Sequence, residues 1–337
     1  PFDLDGRKVY VTASIGIAFD DQDGERTPEG LVRNSDMAMY QAKARGRNRS
    51  EFFDSSMHRA ARRRLDLESE LHQAIERGEL TVAYQPVFSL PDRRLTGFEA
   101  LMRWQHPVLG EMMPDEFLTV ADQAGLISLA DTAVLVKACG DFASWGQEFD
   151  LSALNIAVNL SPRQLSRGDL PDLISETIAM TGVEANHLTL EITEGRLMDD
   201  LPVTLEMLHR LRDLGVLLAI DDFGTGHSSL GYLRQFDVHI MKIDRSFVDA
   251  MERDPASRVI IEAMVRLAET YGLSVVAEGV ETETQLEDLV ALGCGAAQGF
   301  LLGPPMVADS VIELLRSSVP AAELDLRPTH PAEIAPI

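Results

Sequence analysis

In the 337-residue chain, apolar runs repeatedly end on a residue that can do chemistry. Glu99 follows Gly97-Phe98, Asn159 ends Ile156-Ala157-Val158, and Glu191 lies within Leu188-Thr189-Leu190-Glu191-Ile192. Asp221-Asp222 ends Leu217-Leu218-Ala219-Ile220, while Lys242 and Asp244 flank Ile243. Glu278 closes Val275-Val276-Ala277, and Gln298 precedes Gly299-Phe300. Burying several carboxylates together is costly unless cations neutralise them, so the pattern predicts metal. The donors are oxygens, with no His or Cys pair at zinc spacing, which favours Mg²⁺ or Mn²⁺ over Zn²⁺. The adjacent Asp221 and Asp222 suit two cations, one carboxylate bridging both and its neighbour serving the second. Cations about 3.5–4 Å apart can clamp the attacking and leaving oxygens of an in-line phosphoryl displacement. Lys242 suits holding the attacking water or neutralising a phosphate oxygen. The same residue types also permit separate salt bridges at a barrel mouth. The recurrence of six or more polar residues at one register favours a metal-dependent hydrolase or lyase.

Elements must bring these residues together. Short apolar runs cover residues 81–89, 96–104, 154–161, 188–193, 216–221, 239–244, 273–278 and 296–301. Helical patterns at 114–124, 131–145, 170–181, 201–214, 256–271 and 283–292 separate most of them. About eight strands alternating with helices over roughly 250 residues predict an α/β fold, a (β/α)8 TIM-type barrel rather than an open sheet. In such a barrel the strand C-termini converge on the face that carries chemistry. Only Leu90-Pro91-Asp92-Arg93-Arg94 separates the first two runs, which is hairpin-like and predicts a modified barrel with an antiparallel first strand.

Composition narrows the class. Thirty basic against 54 acidic side chains give a net charge of −24, which argues against nonspecific grip on a nucleic-acid polymer or an anionic membrane. Apolar residues make up 45%, enough for a real core, which excludes a disordered or fibrous chain. Cys139 and Cys294 are too few for a disulfide framework and predict reduced thiols and a cytoplasmic location. No run of about 18 apolar residues is present to span a membrane, and Pro1–Asp5 carries no targeting signature.

Charge also divides the chain. Residues 1–54 hold 8 basic and 10 acidic side chains, leaving −22 for residues 55–337. Between them runs a basic stretch with Lys43, Arg45, Arg47, Arg49, Arg59, Arg62, Arg63 and Arg64. It reads as a solvated connecting helix rather than a nucleic-acid contact, since no aromatic platform accompanies it. The alternation Val9–Ala18 predicts a strand, and the pattern through Leu31-Val32 and Met37–Tyr40 a helix. One strand and one helix bury too little to stand alone, so they complete a domain whose earlier part is absent, or dock on the barrel. The expected divisions are a fragment at 1–54, a basic helical linker at 55–65, a barrel at 66–318 and a loose Pro- and Ala-rich tail at 319–337.

Two resemblances follow from ordered motifs. Ser14-Ile15-Gly16, then Asp36–Lys43 and Gly46-Arg47-Asn48, resemble the C-terminal end of a GGDEF, diguanylate cyclase-like domain. That family's naming motif does not occur here, so this chain is expected to synthesise nothing. Residues 66–318 resemble an EAL domain, the cyclic di-GMP phosphodiesterase family. Tyr84-Gln85-Pro86, Glu99-Ala100-Leu101-Met102-Arg103-Trp104 with His106-Pro107, and Val158-Asn159-Leu160-Ser161 carry the first part of the likeness. Glu191-Ile192-Thr193-Glu194, Asp221-Asp222-Phe223-Gly224-Thr225-Gly226 and Lys242–Phe247 continue it, and Ala277–Thr282 and Gln298-Gly299-Phe300 complete it.

The EAL resemblance implies roles. Glu99, Asn159, Glu191 and Asp221 would hold a first cation. Asp221 would bridge to a second, held also by Asp222 and Glu278. Lys242 would position the water, Gln298 and Glu281 would complete the site, and Gln85 and Arg103 would contact the nucleotide. The loop through Gly224, Gly226 and Ser228-Ser229 would couple the metals to dimerisation, with Glu194 as its anchor, and the helix after it would pair two copies. Asp122 stands where the family usually has Glu, and His227 where Tyr is common. His106 and His239 read as structural, and Trp104 and Phe300 as core or rim packing, with stacking on a guanine as the alternative. The function implied is hydrolysis of cyclic di-GMP to the linear dinucleotide pGpG by two Mg²⁺ or Mn²⁺ ions, in a homodimer with upstream sensory and GGDEF regions. The rival is a catalytically silent cyclic di-GMP receptor.

Overall fold

The computed structural model describes residues 2–4, 7–19, 27–197, 201–225 and 230–318. Two compact units divide at Gln73 and Ala74. In the first, Phe2–Leu4 pairs antiparallel with Arg7–Val9, and Ile15–Ile17 pairs parallel with Ser50–Phe52. The strand expected over Val9–Ala18 is therefore broken. Among the described residues Tyr10–Ser14 joins no ladder, and Tyr10 and Val11 are exposed. Helix Pro28–Ala44 starts where Thr27 accepts from the Gly30 N–H at 3.0 Å, with Pro28 in the first turn. Gly16 lies against this helix so closely that a Cβ would stand 1.9 Å from the Ser35 carbonyl oxygen. In the basic stretch, Arg45 pairs with Glu51 and Arg64 donates to the Tyr40 hydroxyl at 2.8 Å. The side chains of Arg59 and Arg62 lie outside the described residues, as does the tail from 319. Helix Ser55–Arg77 runs unbroken across the second half of the basic stretch.

The second unit is a closed barrel. Its strands are β1 (Leu80–Ser89), β2 (Leu95–His106), β3 (Asn155–Asn159), β4 (Leu188–Thr193), β5 (Leu217–Phe223), β6 (Ile240–Ile243), β7 (Ser274–Ala277) and β8 (Ala296–Ala297). Strands β2 to β8 pair in sequence order and in parallel. β1 closes the ring antiparallel to both β2 and β8. The hairpin turn accounts for this direction: Ser89 N donates to Arg94 O at 2.8 Å, and Arg93 takes the left-handed conformation at φ 51°. A short strand Gly110–Met112, not foreseen in the sequence, folds back on the end of β2.

Outward-facing strand residues pack against helices. Helix Ile127–Trp145 is apolar on most of its circumference because strands and helices cover it. Its Trp145 meets Tyr84 of β1 and Phe98 of β2 edge-on, at 4.9 and 5.7 Å between ring centres. The Tyr84 hydroxyl donates to Asp141 at 2.6 Å, which ties β1 to the same helix. The run expected as a strand over 296–301 keeps only Ala296–Ala297. The chain then turns at Gly299, where a Cβ would stand 2.2 Å from the backbone of Val280. Trp104 is fully enclosed between Phe117 and His106, so it packs, whereas Phe300 is exposed. His106 Nδ1 accepts from the Val108 and Leu109 amides and His239 Nδ1 from Leu218 N, both local structural roles. Both cysteines are free and buried, and burial pushes the Cys139 thiol up to about 12. Among the described residues no helix is long and apolar enough to cross a membrane.

Candidate active site

The strand ends bring the acidic residues together around one lysine. Lys242 of β6 is buried, and its Nζ lies 2.6 Å from Glu191, 2.7 Å from Glu278, 3.2 Å from Glu99 and 3.4 Å from Asp221. Two amides frame the same group. Asn159 Nδ2 donates to Glu99 Oε1 at 2.7 Å, and Gln298 Nε2 donates to Glu99 Oε2 at 2.5 Å and to Glu278 at 3.3 Å. Strand pairing sets these distances, since Asn159 stands beside Glu191 in the ladder and both point inward.

Two neighbouring carboxylates need a special device, because successive strand residues face opposite sides. At Asp221-Asp222 the register against β6 shifts, and Asp222 adopts φ 54°. Aspartate tolerates this left-handed geometry better than most residues, and the Asp222 amide donates to Asp221 Oδ1 at 3.0 Å. The irregularity turns both acids to the mouth. Single carboxylate oxygens of Asp221, Asp222 and Glu278 lie within 4.8 Å of one another.

The electrostatics of the cluster are lopsided. Burial disfavours the Lys242 charge, but Glu191, Glu278, Glu99 and Asp221 outweigh it and hold the ammonium well above the ordinary lysine range. Burial likewise pushes Glu99 up, yet Lys242, Gln298 and Asn159 prevail and hold its carboxyl below the usual value. Glu191 goes the other way, raised well above the carboxylate range by burial and by Glu99. Burial with Asp221 lifts Glu278 to about 7, against the pull of Lys242, and burial with Asp221 and Asp244 lifts Asp222 to about 6. Five carboxyl groups thus share one ammonium. The donor set is all oxygen, and two of the three acids whose carboxyls are raised, Asp222 and Glu278, stand beside Asp221. These residues fit hard divalent cations, which would restore their charged forms.

Other candidates stand further out. Arg103 is buried, and its Nη1 donates to the carbonyl of Met102 at 2.8 Å. Gln85 pairs with Glu99 across the β1–β2 ladder and donates to Gly303 O at 3.4 Å. Glu281 is exposed, and its backbone amide donates to Gln285. Glu194 is buried, and its Oε2 accepts from the Gly224 amide at 2.8 Å. Gly224 itself sits at φ 96°, where a Cβ would meet Met264 at 2.2 Å. Gly226, His227 and Ser228-Ser229 of the loop lie outside the described residues. Asp122 is exposed and pairs with Arg163 at 2.7 Å. Asp244 received no role in the sequence, although it lies two residues beyond Lys242. It caps helix Arg245–Ala250 by accepting from Ser246 N, and it bears on Asp222. Its position at the end of β6 was the available signal.

A closed barrel with an acid-lined mouth at the strand C-termini is the architecture of a TIM-type enzyme. Residues 68–305 match the family described as the EAL domain, and the chain belongs to that family. Residues 1–49 match the family described as diguanylate cyclase, GGDEF domain. The chain is 43% identical over 314 residues to the bifunctional diguanylate cyclase/cyclic di-GMP phosphodiesterase MucR of Pseudomonas aeruginosa, covering 93% of this chain and 45% of that protein. It is 40% identical over 320 residues to the cyclic di-GMP phosphodiesterase NbdA of the same organism, covering 94% and 40%. It therefore spans less than half the length of these relatives. A solved structure of the MucR phosphodiesterase in complex with c-di-GMP superposes with a TM-score of 0.70 at 42% identity, covering 73% of this chain and 99% of that one.

Proposed function

We propose that the barrel hydrolyses cyclic di-GMP to the linear dinucleotide pGpG, using two Mg²⁺ or Mn²⁺ ions. The observation that carries this reading is the gathering of Glu99, Glu191, Asp221 and Glu278 around a single ammonium, with Asp222 grouped beside Asp221 and Glu278, and Asn159 and Gln298 at Glu99. The names of MucR and NbdA support the substrate. Glu99, Asn159, Glu191 and Asp221 would hold one ion, and Asp221, Asp222 and Glu278 the other. When bound, such ions supply Lewis acidity and lower the pKa of water.

The residues themselves do the positioning. Lys242 orients the water and balances charge at the phosphate. Arg103 and Gln85 face the nucleotide, Gln298 and Glu281 complete the rim, and Glu194 anchors the loop that begins at Gly224. Water adds to one phosphorus, the bond to a ribose 3′ oxygen breaks, and that oxygen takes the proton. The product is linear and keeps its 5′ phosphate. Two copies pair through the barrel, beside helix Leu230–Phe236, and an upstream sensory and GGDEF region supplies the input.

Chromatography of purified protein with cyclic di-GMP and Mg²⁺ tests the reading. A peak of pGpG supports it, and binding without product makes the chain a receptor instead. A single-copy mass in solution would overturn the dimer.

A further inference from the structure

A (β/α)8 barrel is ordinarily filled by layers of branched side chains, a packed core and not a pore. Here Val87, Ile240 and Val276 share the interior with smaller residues. Gly97 of β2, Ala157 of β3, Thr189 of β4 and Ala296 of β8 all face inward at mid-barrel. The exposure pattern records the consequence. On β3, Ile156 and Val158 are buried against the helices at 0% and 1%, while the inward Ala157 between them is only half-buried. β7 repeats this, with Val275 and Ala277 buried and Val276 half-buried. Space the size of water reaches the inside of the barrel.

That space is a cavity of about 490 Å³. It runs from Asn155, Ser274 and Gly295, near the N-terminal ends of the parallel strands, up to Glu191, Lys242 and Gln298. Ser274 is exposed at its lower end. Two polar atoms lining it, Thr189 Oγ1 and Gln298 Oε1, have no protein partner among the described residues, although these side chains are 2% and 4% exposed. An unmet buried group of this kind destabilises the fold unless water meets it. A cavity holds water when it is roomy and offers polar partners, and this one does both.

We propose that the barrel interior is a hydrated passage, through which water reaches Lys242 from the floor while the mouth is covered by the dinucleotide. Its catalytic use rests on the hydrolysis proposed above; its hydration does not. Water is the second substrate of that reaction, so a rear supply leaves the mouth free to close over the first. Thr189 and Gln298 are then positioning residues that hold the water column rather than touch the reacting phosphate.

Crystals of the full chain with cyclic di-GMP and Ca²⁺ test the hydration. Ordered waters within hydrogen-bond distance of Thr189 Oγ1 and Gln298 Oε1 are expected. A dry interior, a bound organic molecule, or rotamers that pair both atoms with protein would overturn the proposal. Ser274→Trp tests the supply, since it stoppers the floor two residues below the level of Lys242. We expect kcat to fall about tenfold with KM unchanged. Thr189→Val keeps the volume and strips the hydroxyl, and about a threefold fall in kcat with loss of its water is expected. Unchanged kcat in both variants overturns the supply even if waters are seen. If the wild-type chain yields no pGpG, hydrolysis fails on its own, and the crystallographic waters still decide the hydration.

Discussion

Lys242 Nζ lies 2.6 Å from Glu191 Oε2 with both side chains almost wholly enclosed by the barrel. The charged partner of this ammonium is Glu99 at 3.2 Å, whose carboxyl stays below its usual value, and removing the ammonium strands that charge. In metal-free buffer, Lys242→Met should lower the unfolding free energy by about 3–5 kcal/mol, read by urea denaturation. A loss within experimental error would mean that the carboxylates do not depend on the ammonium.

Ligand variants separate metal binding from folding. Asp221→Asn or Glu99→Ala should cut cleavage at least about 100-fold and weaken Mg²⁺ binding in calorimetry, with the circular dichroism spectrum unchanged. Retained cleavage would show that the ligand assignment is wrong.

The choice of cation offers a further check. Ca²⁺ has a longer and looser oxygen shell than Mg²⁺, so it should bind and raise the melting temperature yet support cleavage at least about tenfold more slowly. Equal rates with the two ions would contradict a site built for small cations.

Asp131 gives a pH dependence outside the cluster. Burial pushes its carboxyl up to about 6, although the Ser161 hydroxyl and amide pull the other way. A folded-state value above the unfolded one means the native state holds the proton more tightly. Stability from this group is full below about pH 4 and is lost as pH rises to about 6. Asp131→Asn should therefore exceed wild type by about 2 kcal/mol at pH 7.5, with the difference closing by pH 4. A gap that does not change with pH would exclude the titration.

Removing the carboxylate that receives the Gly224 amide should act locally. Glu194→Ala leaves the Gly224 amide without its acceptor. Cleavage should fall about tenfold while the melting temperature moves only a few degrees, since one hydrogen bond is worth about 1 kcal/mol. Unchanged kinetics would detach Glu194 from the loop's role.

Much of this arrangement was legible because strand ends in a barrel are a fixed place. Glu99, Asn159, Glu191, Asp221 and Lys242 each stood at or near the end of an apolar run, and the runs meet where those residues meet. The short turn at 90–94 also disclosed the antiparallel first strand. Other features depend on three-dimensional partners that no local pattern contains. Alternation at Val9–Ala18 looks strand-like, but a strand needs a neighbour, and Tyr10–Ser14 has none among the described residues. The run at 296–301 ends early because Gly299 must lie against Val280. Residue types suggested that Lys242 would face water or phosphate; only the fold shows four carboxylates already within 3.4 Å of its nitrogen.

The reversed direction of β1 has a consequence for how force or motion reaches the acids. Because β1 opposes its neighbours, Leu80 begins beside Trp104, at the level where the parallel strands finish. The polypeptide therefore enters the barrel on the side of the strand C-termini and not at its base. A shift at Thr81 thus bears first on Arg103, its ladder partner, and reaches Glu99 only through the four residues down to Gln85.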